Sequence, residues 1–109
     1  MDADRGRLLA ERERTTRRLA ELTGDFREIV EASASTNADD EHDPEGATIA
    51  FERSQVATLV QQARHRLREI EAALARIDDG RYGTCERCGR PIPVERLEAR
   101  PTARTCVAC

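Results

Sequence analysis

Tryptophan and lysine are absent from this sequence, and one tyrosine and two phenylalanines are the only aromatic residues among its 109. So little aromatic surface excludes a broad face for stacking nucleic-acid bases and leaves any core to aliphatic side chains. Long apolar runs are missing too. The longest are far shorter than the roughly 20 residues a membrane span needs, and the N-terminal MDADRGRLLAERER has no apolar stretch of the secretory kind. A soluble cytoplasmic protein is expected. Nothing assembles into a nucleophile with its base, a glycine-rich phosphate loop or an acid dyad, so no enzyme is expected. The two histidines, His42 and His65, have no metal-ligand partner at useful spacing and are expected to be ordinary exposed residues.

Charge, by contrast, is abundant at 36% of residues, and all eighteen basic residues are arginine. The net charge of -3 conceals a gradient: about -1 over residues 1–34, -5 over 35–46, zero over 47–80 and +3 over 81–109. The acids of the second segment are Asp39, Asp40, Glu41, Asp43 and Glu45.

Two segments carry helical periodicity. Leu8, Leu19, Leu22, Phe26 and Ile29 fall on one 3.5-residue seam, with the polar Arg12 and Thr15 at intervening positions. This predicts a helix over about 4–34, opened by Asp2 or Asp4. Val56, Val60, Ala63, Leu67, Ile70, Leu74 and Ile77 alternate steps of four and three and predict a second helix over about 44–79. Asp43 is placed to cap it, Pro44 suits its first position, and Gly80 stops it. Joined by the acidic turn at about 35–46, the two helices can bury their stripes by folding back as an antiparallel hairpin, with arms of about 50 Å at 1.5 Å per residue. The expected fold is mainly α: a long antiparallel two-helix coiled-coil hairpin over 1–80, then a small four-cysteine finger over 81–109. A monomer is expected, because the short linker favours closure within one chain.

All four cysteines lie in that last segment, as Cys85-x-x-Cys88 and Cys106-x-x-Cys109. Each CxxC turn can present two sulfurs to one ion, so the pair of turns suits tetrahedral Zn²⁺. Two disulfides are the competing reading, disfavoured in a reducing cytosol. Four thiolates leave no open position for a zinc-bound water, so the ion would be structural, and Arg87, Arg90 and Arg104 could offset its negative charge. Gly89 permits the left-handed backbone expected at a knuckle, and Pro91 and Pro93 stiffen the chain beyond it.

Gly83, Thr84, the CxxCG of Cys85 to Gly89, and IPVERLEARPTARTCVAC together resemble the bacterial DksA/TraR C4-type zinc-finger family. RLEARPTA, residues 96–103, is the most specific part. The resemblance implies a transcription regulator that binds RNA polymerase rather than specific DNA sequences. Its coiled coil would enter the secondary channel and bring the acidic tip close to the catalytic Mg²⁺. Asp40, Asp43, Glu45 and Ala47 are then the expected polymerase-contacting tip residues, and Arg100 a finger contact.

Departures from the family pattern are specific. Against the DksA-type tip D-x-x-D-x-A, ungapped counting back from Cys85 places His42, Asp43, Pro44, Glu45, Gly46 and Ala47, where only Glu45 and Ala47 match in kind. Shifting to Asp40-x-x-Asp43 puts Glu45 where alanine is expected. For ppGpp-sensing members the resemblance implies basic residues on the second helix and near the finger; Arg100 matches, but Glu69 stands where the helix should be basic. Strong ppGpp dependence is therefore not expected. Members of the family commonly continue into a helix after the last cysteine, so polymerase contacts made by that helix are not expected here. The alternative readings from the residues themselves are a coiled-coil adaptor and a nucleic-acid-binding zinc finger without polymerase activity.

Overall fold

The computed structural model describes the backbone of residues 2–35 and 44–109, and within these the side chains of 2–32 and 47–109. The chain order is α1 (Asp2–Ser35), α2 (Pro44–Asp78) and a short α3 (Val94–Ala99). Asp2 and Asp4 occupy the first turn of α1, where the exposed N–H groups favour negative charge. Pro44 opens α2, a position where its missing N–H costs nothing. The cap expected at Asp43 and the acidic residues Asp39 to Glu41 lie outside the described residues.

Packing divides the chain into two compact units, Met1–Arg14 with Arg66–Cys109, and Thr15–His65. This differs from a division at residue 80. The finger shares a unit with the first turns of α1 and the last turns of α2.

In the finger-bearing unit, Leu8 and Ile70 are fully buried and gather Ala73, Leu74, Ile77, Tyr82, Cys85, Ile92 and Leu97 into one cluster. Ion pairs give the helix direction: Arg5 meets Asp78 at 2.7 Å and Arg12 meets Glu71 at 3.2 Å. From Arg5 to Arg12 the partner moves back along α2 by the same step, so the helices run antiparallel. The other unit has its own smaller cluster of Leu22, Val60 and Ala63, with Leu19, Val56 and Leu59 packed against it. Thr15, a polar member of the predicted seam, is buried as its position demands.

The α2 helix ends at Asp78, and the chain turns away at Gly80, whose φ of +73° is left-handed and costs glycine little. Its last turn is unusual. Both Arg81 and Tyr82 N–H groups donate to the Arg76 carbonyl, at 2.8 and 3.1 Å, which bends the chain back over the helix and carries Tyr82 into the core. Among the described residues no helix is long and apolar enough to cross a membrane.

Candidate metal centre

The first CxxC is held by a small frame of backbone hydrogen bonds. Ile92 N–H donates to the Gly83 carbonyl at 2.7 Å and Cys85 N–H to the Arg90 carbonyl at 2.8 Å, bracketing an isolated antiparallel bridge between Thr84 and Pro91. Gly89 turns the knuckle with φ +73°, and its N–H reaches the Cys85 carbonyl at 2.9 Å. The second CxxC is closed by Cys109 N–H to the Cys106 carbonyl at 3.2 Å. Glu86 N–H to the Arg104 carbonyl, at 2.9 Å, ties the two halves together.

This frame brings the four sulfurs within 4.8 Å of one another. The Cys88 and Cys106 Sγ atoms are 3.7 Å apart and those of Cys106 and Cys109 3.3 Å, and no disulfide joins them. A tetrahedron with Zn–S bonds of about 2.3 Å has edges of about 3.8 Å, so the donor set fits one Zn²⁺. Cys85 is the buried corner and Cys88 and Cys109 the exposed ones. Backbone N–H groups of Cys88 and Cys106 favour the Cys85 thiolate and bring its pKa down to about 6, while the Cys88 N–H lies 3.5 Å from that sulfur. As a cluster of thiols, the group shares its protons. The Cys109 thiol, hydrogen bonded to Cys106, is pushed up to about 12, and Cys106 is lowered by the same bond. A divalent ion that replaces those protons relieves the repulsion between neighbouring thiolates. The ion would supply a closed cross-link and no chemistry.

The stretch RLEARPTA docks the finger on the helices. Leu97 enters the core, while Pro101 and Thr102 are buried. Three side chains secure this turn. Tyr82 donates its hydroxyl to the Pro101 carbonyl at 2.8 Å, Arg76 donates to the Thr102 carbonyl at 3.3 Å, and Arg66 donates to Thr102 Oγ1 at 2.8 Å. Arg66 also grips Glu11 of α1 through Nε and Nη2. One guanidinium thus joins α1, α2 and the finger. Replacing Arg66 with methionine keeps the aliphatic stem and strands Glu11. Because both partners retain some exposure, the expected cost is about 1 kcal/mol, read as a lower urea midpoint with unchanged slope.

Of the remaining residues singled out in the sequence, Arg100 is exposed, and its N–H closes α3 on the Arg96 carbonyl at 2.7 Å. Glu69 lies 4.0 Å from Arg66. Ala47 is exposed on α2, Glu45 is described only as helical backbone, and Asp40 and Asp43 lie outside the described residues. Arg87 reaches the Cys109 carbonyl at 3.5 Å. Sequence reasoning missed the docking roles of Arg66, Arg76, Tyr82 and Thr102. The one signal for them was the broad run of small and apolar residues Ala72 to Ala75, wider than a two-helix seam requires.

Residues 80–109 match the prokaryotic dksA/traR C4-type zinc finger. General stress protein 16O of Bacillus subtilis (strain 168) is 37% identical over 91 residues, covering 80% of this chain and 56% of that protein. The RNA polymerase-binding transcription factor DksA of Escherichia coli (strain K12) is 46% identical over 43 residues, 39% of this chain and 28% of the relative. The chain spans 28% to 56% of the length of the curated relatives it matches. The structure of transcription factor DksA2 from Pseudomonas aeruginosa agrees with TM-score 0.84 at 29% identity, over 98% of this chain and 77% of that one. With four sulfurs placed for a single structural Zn²⁺ and the finger docked through RLEARPTA onto two antiparallel helices, residues 80–109 carry the C4-type zinc finger of the dksA/traR family.

Proposed function

We propose that this protein binds RNA polymerase as a monomeric transcription regulator and places the acidic turn between α1 and α2 in the secondary channel to modulate initiation. The observation that supports this most is the combination of a docked four-cysteine finger with an antiparallel helix pair, similar along 98% of the chain to a transcription factor of the DksA type. In this reading the protein acts by binding and carries out no catalysis. Asp40, Asp43 and Glu45 supply negative charge at the turn, and Ala47 supplies a small exposed surface beside it. Carboxylates there can pair with basic side chains of the channel or alter the surroundings of a catalytic divalent ion. Arg100, exposed on the finger, is the proposed contact outside the channel. Regulation by ppGpp is proposed to be weak, since Glu69 gives the helix acidic character near the finger.

The test has two stages. Tagged protein should retain RNA polymerase subunits from extract and bind purified polymerase. The double substitution Asp43→Asn with Glu45→Gln should then keep zinc and polymerase binding within a few-fold while losing the effect on a defined transcription reaction. A double variant as active as the parent would remove the tip from the mechanism. Failure to bind polymerase, with another partner recovered, would favour the adaptor. Steeply salt-dependent binding to random nucleic acid would favour the nucleic-acid finger.

A further inference from the structure

The most deeply buried arginine among the described residues has no carboxylate to pair with. Arg76, in the last turn of α2, is only 6% exposed. Its one side-chain hydrogen bond runs from Nη2 to the Thr102 carbonyl at 3.3 Å, and among the described residues it enters no ion pair. Burial, and next the neighbouring Arg104, both disfavour its charge and lower its pKa, while Glu86 acts in the opposite direction without reaching ion-pair distance. A cation enclosed with another cation nearby needs compensation, because a buried charge without a partner typically costs several kcal/mol.

Arg76 lines a cleft together with Gly80, Arg81, Thr84, Cys85 and Glu86. Cys85 is the most enclosed of the four sulfur donors at 2% exposure. Zn²⁺ with four thiolates is a dianion, and Cys85 is the donor that lines the same cleft as Arg76. The arginine near the second cysteine pair on the sequence, Arg104, is exposed, as are Arg87 and Arg90. We infer that Arg76 is the buried counter-charge of the zinc–thiolate centre, a positioning residue that α2 contributes to metal retention. Zinc loading and the docking of the finger on α2 are then one event: the dianion neutralises the arginine, and the arginine holds the Thr102 carbonyl.

The test compares Arg76→Gln, Arg76→Lys and Tyr82→Phe in the full chain. Tyr82→Phe removes a hydrogen bond to the same docking turn and changes no charge. The first readout is zinc release to a chromogenic chelator. Arg76→Gln should release zinc about 10-fold faster or more, as expected for loss of an outer-shell partner, with Arg76→Lys restoring most of the retention. The second is the sulfur-to-metal charge-transfer band of the Co²⁺-loaded protein. Loss of a nearby positive charge makes the thiolate easier to oxidise, so the band should move to longer wavelength in Arg76→Gln, return toward the parent in Arg76→Lys and stay in place in Tyr82→Phe. The inference is overturned if the band of Arg76→Gln matches the parent, or if Arg76→Lys is as impaired as Arg76→Gln. Should Arg76→Gln fail to fold with metal, Arg76→Lys decides: a folded protein with the parental band supports the counter-charge, and its failure overturns it.

Discussion

Replacing Cys85 with serine should abolish stable zinc retention and melt residues 81–109, while the cluster of Leu22, Val60 and Ala63 survives. Structural Zn²⁺ sites of this kind contribute about 10 kcal/mol or more, comparable to the whole stability of a small domain. The finger has no sizeable core of its own. Tyr82, Cys85, Ile92 and Leu97 are buried only by joining Leu8, Ile70, Ala73, Leu74 and Ile77. Cys85 belongs to both the metal site and this cluster, so its loss removes a ligand and opens the core together. Amide hydrogen exchange is the direct measurement. Protection should vanish after Tyr82, fall in the last turns of α2, and persist around Val60, whose cluster contains no finger residue. Excess chelator should reproduce the pattern in the parent. Protection of residues 81–109 that outlasts complete metal removal would contradict the role assigned to zinc.

The second large effect is expected at Ile70. Truncation to alanine at a fully buried site costs about 2–5 kcal/mol, set by how far the surroundings can close on the cavity. Ile70 and Leu8 both show 0% exposure in the same cluster, which also takes in Leu97 of α3. Ile70→Ala should therefore lower the urea midpoint by that free energy divided by the unfolding slope and also speed zinc loss, as the finger loses part of its floor. Leu59, only partly buried against the other cluster, makes the contrast. Leu59→Ala should cost far less and leave zinc retention unchanged. Equal effects of the two substitutions on zinc retention would show that the two clusters do not act separately. Combining Ile70→Ala with Leu8→Ala should be non-additive, since both open one cavity.

Periodicity and spacing carried much of this architecture, for physical reasons that also mark their limit. A seam repeating every 3.5 residues states which face of each helix meets the other, and Leu8, Leu22, Val60, Ile70, Leu74 and Ile77 are buried accordingly. The metal geometry was legible because a CxxC turn fixes the separation of its own sulfurs. Ala73 and Arg76 could not be found in this way. They are buried on a further face of α2, by a finger that returns from residues 82 to 102. Arg76 in particular reads as an ordinary polar helix residue until its surroundings are known. The docking bonds of Tyr82 and Arg76 end on backbone carbonyls, which carry no sequence signature. Arg100 is the converse case: prominent in the motif, it is exposed, while Pro101 and Thr102 next to it make the contacts.

The cluster that joins Leu8 to Leu97 also constrains the order in which the protein can assemble. These residues come from opposite ends of the sequence, and the unit containing them is interrupted by all of Thr15–His65. Contacts of such separation bear the entropy of closing a long loop, whereas Leu22 and Val60 close a much shorter one. Pairing of the helices within Thr15–His65 should thus come early and bring the first turns of α1 back to the last turns of α2. Only then does the finger have a surface on which to settle. A newly made chain would hold its four thiols loosely until that surface exists, so the moment of secure metal capture is set by helix pairing that involves no cysteine.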